Sequence, residues 1–128
     1  MRISEAAEMA GLTADTIRFY ERVGLLDRIP RGSDGHRDFG AQELRWLRLF
    51  ERLRSTGMPL TEMKQYAALA RQGEGTYSAR EAILARHRSR LDEQQAKIET
   101  CRHLIEEKIS TYRRLAQDKT STDRSGST

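Results

Sequence analysis

The chain has 128 residues, of which 33% are charged and 6% aromatic, and its formal net charge at neutral pH is +4. This length allows one compact domain with an appended element and excludes two full-sized globular domains. The many charged and few aromatic residues favour a helical protein with a small core over a sandwich or barrel, and the mild positive charge permits binding to a polyphosphate without requiring it.

Two short helices are predicted at the beginning of the chain. The alanine-rich segment 4–10 predicts the first, and Thr13 is a suitable N-cap for a second over residues 14–23. Only three residues separate them, and one of these is Gly11. This spacing is that of a helix-turn-helix, although the spacing alone does not establish the motif.

A hairpin and two further helices are predicted next. Residues 24–40 are rich in glycine and contain Pro30, and apolar side chains flank them on both sides, which predicts a small hairpin. Apolar residues at helical spacing predict a helix over residues 41–55, and Pro59 begins another that reaches about residue 71. Residues 1–71 are therefore predicted to form one domain.

A long helix is predicted after a linker at residues 72–77. Ser78 and Glu81 form a capping box that opens this helix, which reaches about residue 116. Side chains typical of a coiled-coil seam recur along one face, with polar interruptions at His87, Gln94 and Lys108. The predicted seam consists of Leu84, Leu91, Ile98, Cys101, Ile105, Tyr112 and Leu115. One helix cannot bury such a seam alone, so we expect a homodimer. Residues 117–128 lack apolar anchors and are predicted to be disordered.

The order of short motifs in residues 1–116 resembles the MerR family of transcription regulators. The run Thr16-Ile17-Arg18-Phe19-Tyr20-Glu21 is followed by Gly24-Leu25-Leu26 and then by Gly35-His36-Arg37-Asp38-Phe39. In that family an I-R-F/Y-Y-E core runs into G-L-L, and a wing ends in G-x-R-x-Y/F. The resemblance continues through Gly57-Met58, Leu60 and Met63. It implies a mainly α fold, with a winged helix-turn-helix DNA-binding domain followed by a long dimerisation helix that forms an antiparallel coiled coil.

The resemblance also implies which residues contact double-stranded DNA. These are Thr16, Arg18 and Tyr20 on the second helix, and Arg31, Arg37 and Phe39 in the wing. The residues themselves support Arg18, because Ile17 is the only aliphatic residue of its run and must point inward. Two alternatives stay open: Arg18 as an ordinary surface arginine, and Tyr20 as a core residue.

A mechanism follows from the resemblance as well. A homodimer with two identical DNA-binding domains at fixed separation is expected to bind a palindromic promoter site and to bend and untwist it, so that RNA polymerase becomes an indirect partner. Any effector is expected to be small or to bind at the dimer junction, where residues 73–77 meet the long helix. The alternative is a protein-interaction coiled-coil adaptor without regulatory DNA binding.

Metal, cofactor and enzyme functions receive no support from the sequence. Cys101 and His103 lie about 200° apart around a helix and cannot share one metal ion. In an antiparallel dimer centred near residue 97, the two copies of Cys101 lie about 12 Å apart along the axis, too far for a disulfide. Arg52 stands where thiol-responsive family members carry a cysteine, and no catalytic grouping is evident. We expect no metal, no cofactor and no enzymatic activity.

The predicted location is the cytoplasm. Cys101 is the single cysteine, so an intrachain disulfide framework is excluded. The first residues lack the apolar core of a signal peptide, and no uncharged run approaches the ~20 residues that span a bilayer. We expect a soluble protein without a membrane partner.

Overall fold

The computed structural model describes the backbone of residues 1–27 and 29–126 and the side chains as far as residue 119. Within this part the regular elements are five α-helices and one short 3₁₀ turn. The helices are α1 (Ile3–Ala10), α2 (Ala14–Arg22), α3 (Ala41–Ser55), α4 (Leu60–Gln72) and α5 (Tyr77–Gly126), and the 3₁₀ turn is Glu74–Thr76. The prediction of a mainly α fold is confirmed. Residues 1–87 form one compact unit, here called the head unit, and a second unit, the distal unit, begins at Arg88.

The turn between α1 and α2 is held by backbone geometry and by one side-chain cap. Gly11 ends α1 in the left-handed conformation, with φ of 73°, and its N–H points to the carbonyl groups of Ala7 and Glu8. Glycine adopts this conformation without the cost that a Cβ atom imposes. The Thr13 side chain then accepts a hydrogen bond from the Thr16 N–H at 3.1 Å, as the sequence predicted for the N-cap of α2.

The wing, residues 30–38, is a short loop closed by three backbone hydrogen bonds, one of which joins the Gly35 N–H to the Gly32 carbonyl at 3.0 Å. The Gly32 N–H donates to the His36 carbonyl at 2.9 Å, and the Asp38 N–H donates to the Pro30 carbonyl at 2.8 Å. The predicted hairpin is thus reduced to one antiparallel bridge, between Arg31 and Arg37. The described residues contain no strand longer than this bridge.

The core of the head unit is built from side chains of α1, α2, α3 and α4, and α3 contributes more of them than any other helix. Leu44, Leu47, Phe50 and Leu53 recur at helical spacing on α3, and all four are buried. The Phe50 ring stacks on Trp46 at a centroid distance of 5.5 Å and meets the edge of the Tyr20 ring at 6.2 Å. Burial of one such side chain contributes about 1.5–3 kcal/mol, so this face of α3 contributes much of the packing energy that holds the helices of the head unit together.

The connection between α4 and α5 is ordered by hydrogen bonds to one threonine. The Thr76 hydroxyl lies 2.7 Å from the carbonyl oxygens of both Leu69 and Gly73, and the Arg80 Nε donates to the Thr76 Oγ1 at 3.0 Å. Helix α5 begins at Tyr77, so Ser78 lies inside the helix. The prediction that Ser78 caps this helix is therefore wrong. The 3₁₀ turn supplies the entry to the helix, because it already places the backbone in a helical conformation.

Helix α5 is longer than the sequence predicted. It continues beyond residue 116 to Gly126, whereas a disordered tail was predicted over residues 117–128, of which 127 and 128 lie outside the described residues. Residues 117–125 contain neither glycine nor proline, so no helix breaker interrupts the backbone hydrogen bonds. No helix in the described part of the chain is long and apolar enough to cross a membrane.

Candidate nucleic-acid interface

Helix α2 presents a cation to solvent, as the sequence predicted. Ile17 is fully buried, and Arg18 next to it is exposed. The Arg18 Nη1 donates to the Asp15 Oδ1 at 2.8 Å, and the Asp15 side chain is 94% exposed. Exposed ion pairs of this kind contribute little to stability, so Arg18 can exchange Asp15 for a phosphate at low cost.

Thr16 lies in the first turn of α2, beside the N-cap. Its backbone N–H donates to the Thr13 side chain, and the two threonine hydroxyls lie 2.9 Å apart. The first turn of a helix carries partial positive charge, which favours a phosphate. The position of Thr16 therefore suits a contact with the phosphate backbone of DNA. This contact stays a prediction.

In the wing, Arg31 folds back on the turn that it flanks. Its Nη1 donates to the Gly35 carbonyl at 2.7 Å, and its side chain is exposed. Asp34 lies in the same turn, where the backbone N–H of His36 and the nearby Arg2 guanidinium hold the pKa of its carboxyl below the usual value. The wing therefore carries an anion in the same turn as Arg31, and this anion pairs with Arg2 at 2.8 Å.

Arg37 has an internal partner that connects the wing to α2. Its Nε donates to the Glu21 Oε2 at 2.9 Å. The side chains of Arg37 and Glu21 are only 28% and 23% exposed, so this pair is shielded from water far more than the Arg18 pair. Glu21 was quoted in the sequence motif, but no role was predicted for it.

Tyr20 and Phe39 lie in the core of the head unit and not on its surface. Each is 1% exposed, so neither ring can reach DNA in this conformation, although both were predicted to contact it. Among the described residues, no group meets the Tyr20 hydroxyl with good hydrogen-bond geometry, although the Arg54 guanidinium lies near it. Burial raises the pKa of Tyr20, and the nearby Arg54 guanidinium opposes that shift. The signal was present in the sequence, because Tyr20 follows the buried Ile17 by three residues and shares its helix face.

An exposed basic row on α3 was missed by the sequence reasoning. Arg45, Arg48 and Arg52 are all exposed and follow one another at spacings of three and four residues. Residues at these spacings share a helix face, so the three guanidinium groups form one positive stripe. This spacing could have identified the row.

The predicted seam of α5 divides at His87. His87 is buried in the head unit, and its Nε2 lies 2.8 Å from the Thr56 Oγ1, so it does not interrupt an exposed seam. The predicted seam residues all keep at least about a third of their surface exposed. These are Leu84, Leu91, Ile98, Cys101, Ile105, Tyr112 and Leu115, and Leu104 and Ile109 are further exposed apolar residues.

The structure brings no metal-binding group together in the part that it describes. No cluster of three or more His, Cys, Asp or Glu side chains occurs there. His103 pairs instead with Glu107, one turn further along α5, at 3.1 Å. The absence of a metal site remains a prediction.

Comparison with known families supports the resemblance found in the sequence. A family model described as "MerR HTH family regulatory protein" matches residues 1–69, and one described as "MerR, DNA binding" matches residues 44–108. The HTH-type transcriptional regulator AdhR of Bacillus subtilis (strain 168) is 38% identical over 93 residues. The aligned part spans 73% of this chain and 66% of AdhR.

Two crystal structures share the fold at high similarity. One is HiNmlR, described as a MerR family regulator lacking the sensor domain, bound to promoter DNA. It has a TM-score of 0.79 and 32% identity, covering 88% of this chain and 90% of that one. The other is a MerR family transcriptional regulator from Bacillus thuringiensis, with a TM-score of 0.77 and 27% identity, covering 87% of this chain and 97% of that one.

Proposed function

This chain belongs to the MerR family of DNA-binding transcription regulators, and we propose that it acts as a homodimer on a palindromic promoter site. The observation that carries the proposal is the surface of the head unit, where Arg18 on α2 and Arg31 in the wing are both exposed. The HiNmlR structure, with the same fold, is bound to promoter DNA. Phosphate contacts by such arginines position a protein on the duplex, and base contacts in the groove supply the sequence preference.

The homodimer is supported by the exposed apolar side chains of α5. Soluble proteins rarely leave a row of large apolar residues uncovered along a helix, and a second copy of the same helix covers it most simply. We therefore assign DNA binding to residues 1–71, a connection to residues 72–77 and dimerisation to residues 78–116, with the connection ordered and not a free linker.

We propose that the dimer activates transcription by distorting DNA. Two identical head units at a fixed separation can engage both half-sites only if the DNA between them bends or untwists. Smooth bending of a site of this size costs about 1–6 kcal/mol, which phosphate contacts must supply. RNA polymerase is then an indirect partner, since it binds promoter elements that the distortion brings into alignment.

The test changes the promoter and leaves the protein as it is. The promoter to use is one recovered with the purified full chain from genomic DNA, in which the spacer between the polymerase elements is shortened by one or two base pairs. Activation by distortion predicts transcription without the protein from the shortened promoter. Continued dependence on the protein, together with undistorted DNA in phasing gels, would identify a steric repressor instead.

Two further functional assignments accompany this proposal. The relatives are named as transcriptional regulators, and we propose that this chain likewise has no enzymatic activity. A regulator of promoter DNA works where the chromosome lies, which in the bacterial relatives is the cytoplasm. If the full chain retards no DNA but captures a protein partner through α5, the coiled-coil adaptor is the correct alternative.

A further inference from the structure

We propose that Glu21 is a positioning residue for DNA binding, which aims the wing arginine Arg37 at a phosphate. The proposal deepens the proposed function and rests on it. The Arg37 Nε donates to the Glu21 Oε2 at 2.9 Å, and this ion pair joins α2 to the wing across 16 residues of chain. A guanidinium held through its Nε still has the hydrogens of both Nη nitrogens to donate.

Burial distinguishes this pair from the other ion pair of the same helix. The Arg37 and Glu21 side chains are about three-quarters buried, whereas the Asp15 side chain beside Arg18 is almost fully exposed. A shielded, charge-assisted hydrogen bond holds its geometry, but an exposed pair within one helix turn competes with water and salt. Glu21 therefore orients its arginine, while Asp15 only occupies Arg18 until a phosphate replaces it.

Among the described residues, the other hydrogen bonds of the wing run within the loop or to the first two residues of the chain, and none of them reaches α2. The bonds from Gly32 to His36 and from Asp38 to Pro30 close the loop on itself. The pair of Glu21 and Arg37 instead fixes the loop against the helix that carries Arg18. With both elements in place before binding, the DNA does not have to order them, which increases affinity without adding a contact.

The experiment measures binding of the full chain to a duplex that it selects from a random-sequence library. Fluorescence anisotropy is recorded between about 50 and 200 mM salt. Glu21→Gln keeps the shape of the side chain and removes its charge. We expect about fivefold weaker binding, equivalent to about 1 kcal/mol at 1.4 kcal/mol per factor of ten, and an unchanged salt slope because no phosphate contact is deleted. Glu21→Asp keeps the charge but is too short for the contact, so we expect a similar loss.

Two comparisons separate positioning from general destabilisation. Arg37→Ala should weaken binding and reduce the salt slope by about 0.9, the value for one phosphate. In the double variant, Glu21→Gln should add nothing to Arg37→Ala, because Glu21 acts only through that arginine. The matched control is Asp15→Asn, which removes a carboxylate from the same helix and should not weaken binding.

The outcomes distinguish this proposal from the proposed function. If the wild-type chain selects no duplex, the DNA-binding function itself is wrong, and the positioning role with it. If the wild type binds but Glu21→Gln or Glu21→Asp binds equally well or more tightly, only the positioning role is overturned. Additive losses in the double variant, with a lower urea midpoint for Glu21→Gln alone, would likewise overturn it and leave Glu21 a structural residue.

Discussion

Replacing Ile98 with aspartate should dissociate the proposed dimer. Ile98 lies near the middle of α5, and 58% of its surface is exposed in the single chain. In an antiparallel pair centred near residue 97, the two copies of Ile98 lie close to each other. One substitution in the sequence therefore removes the Ile98 contacts of both chains. An aspartate there also brings two carboxylates together in an apolar seam.

The size of the effect follows from the exposed area. Complete burial of an isoleucine contributes about 1.5–3 kcal/mol, so covering the exposed 58% of Ile98 contributes about 1–2 kcal/mol in each chain. A symmetric dimer covers two copies, for a total of about 2–4 kcal/mol. At 1.4 kcal/mol per factor of ten, the dissociation constant should rise at least about 30-fold and up to about 700-fold, before any cost of the buried charges.

The assay is sedimentation velocity over a dilution series of the full chain. The matched control is Thr100→Asp, which introduces the same charge about 200° around the helix from Ile98, away from the seam. We expect a monomer for Ile98→Asp and a dimer for Thr100→Asp, with helix content retained in both by circular dichroism. The reasoning is refuted if Ile98→Asp is as dimeric as the wild type, or if both variants dissociate equally.

Three other predictions concern the head unit. Arg18→Ala and Arg31→Ala should each lower the salt slope of DNA binding by about 0.9 in fluorescence anisotropy, and unchanged slopes would exclude phosphate contacts. Burial raises the pKa of Tyr20. At high pH the unfolded chain therefore loses the phenol proton while the folded head unit keeps it. The contribution of Tyr20 to the free energy of unfolding is fully present below about pH 10 and is lost as the pH rises further. Tyr20→Phe should reduce that alkaline loss in urea unfolding and cost nothing at neutral pH, whereas a large loss at neutral pH would mean that the hydroxyl is needed. Thr56→Val, which deletes the hydroxyl beside His87, should lower the free energy of unfolding by about 1–2 kcal/mol, and a wild-type urea midpoint would show that this contact contributes nothing.

Local signals in the sequence were sufficient to predict the first four helices and the orientation of α2. Thr13 caps α2 as predicted, and α3 has the predicted bounds. Ile17 is buried and Arg18 is exposed, as the single aliphatic position in the motif required. These features depend on hydrogen bonds and periodicity within a few residues, so they can be recognised without knowledge of the rest of the chain.

Only the tertiary structure decided that Phe39 is buried and which charged and polar residues bind each other. Phe39 lies in the core cluster of the head unit, and the sequence motif does not specify that packing, whereas the burial of Tyr20 follows from its helical spacing to Ile17. Glu21 meets Arg37 across 16 residues, and His87 meets Thr56 across 31. Such pairs are specified by how the helices pack in three dimensions. Neither side chain of a pair can be distinguished by its residue type from an ordinary surface or seam residue. The amino-acid sequence by itself therefore determined the helices and their apolar faces, and the packing of those faces determined which charged and polar groups are paired.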